Sequence, residues 1–194
     1  MIKLKIIVGG NKDTGKTCLI HRYVTGKFNI NTTSTIGVDF MTKNVKVDVH
    51  DCHLTLWDFA GENRFRVLFP SYCSGASGAL LLFDLTSRST FEGLKDWIEL
   101  IDKSSKNVIK LLIGSKSDLK EHRQIPLDEA LAFQKKYNIA NYLECSSKTG
   151  ENVDKIFETL TGSILQTHLK SCPYCKEMIP RELLFCSFCG KKLT

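Results

Sequence analysis

Residues 10–17 read G-N-K-D-T-G-K-T, between an apolar, β-branched run at 4–8 and a helical pattern carried by Cys18, Leu19, Tyr23 and Val24. The spacing is G-x-x-x-x-G-K-[ST], a glycine-rich turn leading from a strand into a helix. Such a turn points backbone N–H groups at phosphate oxygens. The lysine adds a point charge, the hydroxyl holds Mg²⁺, and the helix directs its positive end at the anion. The strand before the motif and the periodic helix after it weigh against a merely structural loop. The pattern predicts binding of a nucleoside triphosphate.

The base is specified further along. The run 114–118, G-S-K-S-D, closes a second apolar strand at 108–113. A carboxylate at Asp118 can accept from both N1–H and the exocyclic amine of guanine, a pairing adenine does not offer. Three further segments follow in matching order and spacing: Trp57-Asp58-Phe59-Ala60-Gly61, Ser34-Thr35-Ile36-Gly37-Val38-Asp39-Phe40 and Cys145-Ser146-Ser147-Lys148. With these the chain resembles a Ras-superfamily small GTPase over about residues 3–168. The branch it is most similar to is the Rab type, through Ile36 to Phe40, Arg64-Phe65-Arg66, Gly75-Ala76, Leu82-Phe83-Asp84-Leu85-Thr86 and Lys148-Thr149-Gly150-Glu151-Asn152-Val153.

Strand, loop and helix alternate along the chain. Strands are expected at 3–8, 38–48, 53–59, 79–85, 108–114 and 142–145, and helices beginning near Lys16, Ser89, Leu127 and Asn152. This is the pattern of an α/β fold with a mostly parallel six-stranded sheet flanked by helices, its ligand site at the carboxyl ends of the strands. The pair 38–48 and 53–59 reads as an antiparallel hairpin at the sheet edge, linked through 49–52. A chain of 194 residues with 42% apolar content accommodates one proper core, here residues 1–169, and a small appendage, 170–194. The formal charge of +6 is spread along the chain and does not point to nucleic acid. No run approaches 18 apolar residues, and Met1-Ile2 opens neither a signal peptide nor a myristoylation site, so a cytoplasmic protein is expected.

The tail carries a second strong pattern, Cys172-Pro-Tyr-Cys175 and Cys186-Ser-Phe-Cys189-Gly190, two C-x-x-C pairs ten residues apart. Two such knuckles set four thiolates around Zn²⁺, and the glycine helps backbone N–H groups turn toward sulfur. A redox dithiol and paired disulfides are the competing readings. Neither explains two knuckles of one form in so short a segment. The segment is too small for a core of its own, so metal would supply most of its folding free energy. Cys18, Cys52, Cys73 and Cys145 lack ligand spacing and read as reduced thiols. The five histidines form no cluster. Trp57, Phe83, Trp97 and Phe157 read as core aromatics.

The resemblance implies a residue-by-residue mechanism. Backbone N–H groups of Asp13, Thr14, Gly15, Lys16, Thr17 and Cys18 would cradle the phosphates of GTP or GDP. Lys16 would bridge the β and γ oxygens, Thr17 and Thr35 would ligate Mg²⁺, and Asp58 would hold it through water. Thr35 in the first switch, 28–37, and the N–H of Gly61 at the start of the second are held only while the γ-phosphate is present, which makes the switch bistable. Ser115, Lys116 and Asp118 occupy the guanine motif, Asp118 pairing with the base and Lys116 lying against its face, with Ser146, Ser147 and Lys148 closing over O6. Phe28 either packs edge-on to guanine or belongs to the core.

Departures from the family pattern carry their own expectations. Glu62 stands where a water-positioning glutamine is usual; a carboxylate there is repelled by the γ-phosphate and donates no hydrogen bond, so intrinsic hydrolysis should be slow. Lys12 and Asp13 fill positions where small residues are usual. Their bulk can block the attacking water or an activating protein's arginine; in the other reading Lys12 neutralises Glu62 or reaches the γ-phosphate itself. Ser115 replaces an asparagine and should lose contacts to the base and the phosphate loop. The chain ends G-K-K-L-T, without a prenylation signal. Effector, exchange and activating proteins are expected at the switches of a monomer, and the ribbon is expected to dock protein. Two classes of function stay in view: a slow GTP hydrolase that cycles as a switch in trafficking or signalling, and a GTP-bound scaffold that does not turn over.

Overall fold

The computed structural model describes residues 1–29, 35–61, 69–105, 107–181 and 183–193. Its order is β1 (Ile2–Gly9), α1 (Lys16–Thr25), β2 (Val38–Val47), β3 (His50–Phe59), α2 (Phe69–Cys73), β4 (Gly78–Asp84), α3 (Arg88–Glu92), α4 (Leu94–Ser104), β5 (Ile109–Ser115), α5 (Leu127–Lys136), β6 (Asn141–Cys145), α6 (Val153–His168), β7 (Leu169–Ser171) and β8 (Met178–Pro180). Six strands form one sheet in the order β2-β3-β1-β4-β5-β6; β2 runs antiparallel to β3 and every other pairing is parallel. The expected α/β architecture is present.

Period-two alternation in the strands explains the two cores. Leu4, Ile6 and Val8 of β1 point to one face with Leu54, Leu56, Leu80 and Leu82, where Leu19, Ile20, Phe157, Leu160 and Ile164 of α1 and α6 cover them. Ile7, Leu81 and Phe83 point to the other face, under Phe69, Trp97, Ile101 and Phe133. β4 is buried along its whole length, as a central parallel strand must be. β3 buries alternate residues, Cys52, Leu54, Leu56 and Asp58, leaves His53, Thr55 and Trp57 half-covered near the sheet edge, and ends on the buried Phe59.

Three expectations need correction. The hairpin link is two residues, Asp48 and Val49, because Val47 already pairs with His50; Asp48 takes the left-handed backbone (φ 53°) that so tight a turn demands. The helix expected near Ser89 is two helices, broken at Gly93. A Cβ at Gly93 would lie 2.2 Å from Nδ2 of Asn11, so any larger residue would push the Asn11 side chain from its place in the phosphate loop. The short α2 carried no sequence signal. Trp57 belongs to the core only in part: it packs against the second cluster at half burial, stacks on exposed Phe40 at 5.4 Å and lies 5.5 Å from Tyr72.

The tail begins without a spacer. Leu169 to Ser171, between α6 and the first cysteine, form β7 and pair with β8. Leu169 packs on the core under α6, and the Arg181 guanidinium donates to the Gln166 carbonyl at 3.0 Å. Around the cysteines a small separate cluster holds Ile179, Leu193, Cys172 and Cys186.

Candidate functional site

The phosphate loop joins the carboxyl end of β1 to α1. Gly10 lies against β4, where a Cβ would meet the Leu82 carbonyl oxygen at 2.3 Å, so only glycine fits. Asp13 (φ 63°) and Gly15 (φ 85°) are left-handed, the kind of turn that groups successive N–H dipoles into a nest for an anion. α1 has no side-chain cap at Gly15 and no acidic residue in its first turn. Its first N–H groups therefore remain for a ligand.

Lys16 is buried beneath this loop, its ammonium donating to the Asn11 carbonyl at 2.8 Å. Burial pulls its pKa down to about 8, against the pull of Asp58 and Asp13. The cation is under-compensated, as a phosphate-binding lysine is before phosphate arrives. Thr14 is buried and donates to the same carbonyl at 2.9 Å, while Lys12 and Asp13 are exposed at the rim.

Beside the lysine three oxygen groups converge. The Thr17 hydroxyl donates to Asp58 Oδ2 at 2.5 Å, the Thr35 hydroxyl lies 3.1 Å from the same oxygen, and the two hydroxyls are 2.9 Å apart. Asp58 is nearly buried, and burial raises its pKa against the hydrogen bond from Thr17 and the charge of Lys16. Its Oδ1 is buried without a hydrogen-bond partner. A desolvated carboxylate with one oxygen unused, next to two hydroxyls, suits a hard divalent cation. Gly61 follows on the loop side: a Cβ there would lie 2.3 Å from the Lys12 nitrogen, so the second switch starts in contact with the phosphate loop. Glu62 lies outside the described residues.

A cavity of about 280 Å³ opens next to the loop, lined by Gly15, Cys18, Phe28, Ser115, Lys116, Asp118, Leu119, Ser147 and Lys148. Phe28 is half-buried on its wall and is not part of the core. Asp118 is oriented by the buried Ser146, whose hydroxyl donates to Oδ1 at 2.5 Å and itself accepts from the Thr149 N–H. Lys116 has a left-handed backbone (φ 62°) and its ammonium pairs with Asp84 at 2.6 Å. Contrary to the expectation from side-chain length, Ser115 keeps a contact to the phosphate loop. Its hydroxyl lies 2.7 Å from the Thr14 carbonyl and 2.9 Å from that of Phe83. One hydroxyl proton serves two acceptors, so the link is weaker than two donors would make it.

Two residues that sequence reasoning left aside complete the loop's support. The Trp97 indole N–H donates to Asn11 Oδ1 at 3.0 Å, and Trp97 is packed so closely on Gly9 that a Cβ there would meet Cε3 at 2.8 Å. α4 thereby anchors the second residue of the motif, whose carbonyl in turn holds Lys16.

At the other end of the chain the four sulfurs of Cys172, Cys175, Cys186 and Cys189 lie within 4.8 Å of one another, the only such group of potential metal ligands among the described residues. Cys172–Cys189 and Cys175–Cys186 are 3.8 and 3.6 Å apart. A disulfide needs about 2.05 Å, whereas the edge of a ZnS₄ tetrahedron with Zn–S of about 2.3 Å is about 3.8 Å. The knuckles share one geometry. Lys176 (φ 65°) and Gly190 (φ 70°) turn left-handed, and their N–H groups return to the carbonyls of Cys172 and Cys186 at 3.0 and 2.9 Å. Phe188 and Cys189 N–H groups point at Cys186 Sγ from 3.4 and 3.5 Å. Backbone N–H groups, first those of Cys175 and Cys189 respectively, lower the thiol pKa of Cys172, to about 6, and of Cys186. The set fits a thiolate-bound metal.

A doubly covered sheet with a nucleotide-type loop at the carboxyl ends of its strands defines the class of P-loop nucleotide-binding proteins. Residues 5–166 match the Ras family. The chain is 40% identical to the Ras-related protein Rab-19 of Xenopus laevis over 83% of its own length and 76% of that protein's. Identity to Rab-19 of Rattus norvegicus is 36% over 83% and 75% of the two chains, and to Rab-18-B of Danio rerio 38% over 84% and 80%. The chain belongs to the Ras family and is a small GTPase of Rab-like type. Family membership implies guanine nucleotide and Mg²⁺ as its ligands, and effector, exchange and activating proteins as its partners.

Proposed function

We propose that this protein is a guanine-nucleotide switch of membrane traffic or signalling that turns GTP over slowly. The cavity that runs from Asp118 to Gly15 is the observation that carries the reading. A base seated against Asp118 would direct its phosphates over the N-terminus of α1. In this reading Asp118 accepts from the two guanine donors, held by Ser146. Phe28 and the Lys116 stem flank the ring, and Ser147 and Lys148 close its O6 edge. The N–H groups of residues 13–18 and the Lys16 ammonium neutralise the phosphates. Thr17 and Thr35 would hold Mg²⁺, with Asp58 beside them as the nearby carboxylate. Bound, the metal would neutralise charge on the β and γ oxygens. The Gly61 N–H meets the γ-phosphate, so loss of that phosphate frees both Thr35 and Gly61.

Slow turnover follows from Glu62. At neutral pH a carboxylate accepts hydrogen bonds only and adds negative charge beside the transition state. Lys12, exposed on the rim next to the Gly61 contact, is read as an obstruction rather than a catalyst. The half-covered strip Phe40, Trp57 and Tyr72, close to Thr35, offers effectors an aromatic face. Residues 170–194 are read as a zinc ribbon that docks the protein to a partner, with Cys172, Cys175, Cys186 and Cys189 as ligands. No helix among the described residues is long and apolar enough to cross a membrane. The second reading, a scaffold that keeps its GTP, is favoured by the Thr35 hydroxyl already lying on Thr17 and Asp58.

A single-turnover GTP assay on purified full chain, run beside metal analysis, tests the proposal. Slow but measurable phosphate release with one zinc per chain is expected. No release over many hours selects the scaffold, and failure to bind GTP removes both readings.

A further inference from the structure

We infer that the ribbon itself binds an anionic lipid surface, with the switches facing away from it; this rests on reading residues 170–194 as a metal-held ribbon. The ribbon keeps only a minimal core, Ile179, Leu193 and the cysteines with Leu183, and turns its other large apolar side chains outward. Leu184, Phe185, Phe188 and Tyr174 are 71, 57, 66 and 51% exposed. They are four of the twelve exposed large apolar residues among the described ones, in about an eighth of the chain. Three of them fall within five residues.

The charge of the tail leans positive, five basic side chains in 170–194 against Glu177 and Glu182. Residues 183–194 carry Lys191 and Lys192 and no acidic side chain. Phe185 forms an antiparallel bridge with Lys192, so the two side chains share a face, and the Lys191 ammonium lies 4.6 Å from the centre of the Tyr174 ring. The two excess negative charges of a zinc tetrathiolate are spread over four sulfurs, two of them buried and one capped by backbone N–H groups. Exposed aromatic and aliphatic side chains interleaved with lysines fit an interface where rings enter the headgroup layer and ammonium groups meet lipid phosphate.

The ribbon's place in the fold suits that task. Arg181 lines one cavity with Val108, Ile109, Asn138 and Ala140, at the starts of β5 and β6, and a groove with Asp48 and His50 at the tip of the β2–β3 hairpin. Thr35, Asp58, Ser115 and Ser146 lie near the opposite ends of these strands. Across a strand of seven residues the two poles are roughly 20–25 Å apart. A protein seated by its ribbon would leave the Phe40, Trp57 and Tyr72 strip in solution.

Flotation of the GDP-loaded, zinc-containing full chain with vesicles tests this, using phosphatidylcholine alone and with 30% phosphatidylserine. Binding is expected on the anionic vesicles, at least tenfold weaker on the neutral ones and lost at high salt. Combined Leu184→Ser, Phe185→Ser and Phe188→Ser substitution should lower it at least tenfold, with GDP and zinc stoichiometry unchanged. Lys191→Glu with Lys192→Glu should abolish the lipid preference, and decides the matter where the serine variant loses its zinc. Zinc-loaded protein that floats with neither vesicle overturns the inference and leaves the surface to a protein partner; a chain without zinc overturns the ribbon reading itself.

Discussion

The phosphate loop and the cysteine tail both gather groups suited to an ion, and they are held in opposite ways. The loop rests on a sheet covered on two faces. Gly10 touches the Leu82 carbonyl, Trp97 and Gly93 clamp Asn11, and Ser115 ties Thr14 to the end of β5. None of these contacts involves a ligand. The ribbon has two short strands, one bridge and a handful of apolar side chains, so its sulfurs are brought together by little besides what they bind. In the first region the fold prepares the site; in the second, on the proposed zinc reading, the metal would make the fold.

The largest expected effect breaks the two regions apart. Stripping zinc removes on the order of 10 kcal/mol of binding free energy from a segment with no adequate core. Chelation should abolish hydrogen-exchange protection in residues 169–193 and leave that of β1, β4 and β5 intact, as measured by mass spectrometry. Protection lost throughout the chain would mean that the regions are one unit.

Within the nucleotide region the base contact should dominate. Asp118→Asn removes a charged acceptor from two donors, at a cost of about 3 kcal/mol, roughly a hundredfold in GDP affinity. Xanthosine diphosphate, whose O2 accepts from the new amide, should bind better than GDP. A variant with GDP affinity unchanged in a displacement titration would sink the base assignment. A smaller effect is expected on turnover: Glu62→Gln should speed single-turnover hydrolysis about tenfold or more by supplying a donor, and Lys12→Gly should speed it again. A slower Lys12→Gly enzyme that binds GTP normally would instead make Lys12 a source of transition-state charge. Smallest is the loop's own support. Trp97→Phe keeps the ring over Gly9 and removes the N–H to Asn11, about 1 kcal/mol or roughly fivefold in GDP release rate; release at the wild-type rate would show that Asn11 is held well enough without it.

The loop, the strand order around it and the cysteine knuckles were legible because each is a local pattern with a fixed spacing. Trp57 was half legible. Alternation in β3 with Leu54 and Leu56 inward sets it on the opposite face, where Tyr72 of α2 and Phe40 of the edge strand cover it only in part. The Ser115 contact and the Trp97 anchor were not legible, since they join residues 101 and 86 positions apart. Side-chain length alone argued that Ser115 falls short; the approach of β5 to the loop backbone reverses that. The three residues of β7 are too few to carry a period, and only their pairing with Met178 to Pro180 makes them a strand.

The account stands most directly on one displacement experiment: fluorescent GDP bound to the full chain, before and after zinc removal, challenged with unlabelled GTP and ATP. A preassembled guanine site predicts that GTP displaces the probe at least a thousandfold more effectively than ATP, with the same ratio in both preparations. Displacement by ATP at similar concentrations, or loss of the probe on removing zinc, would contradict it.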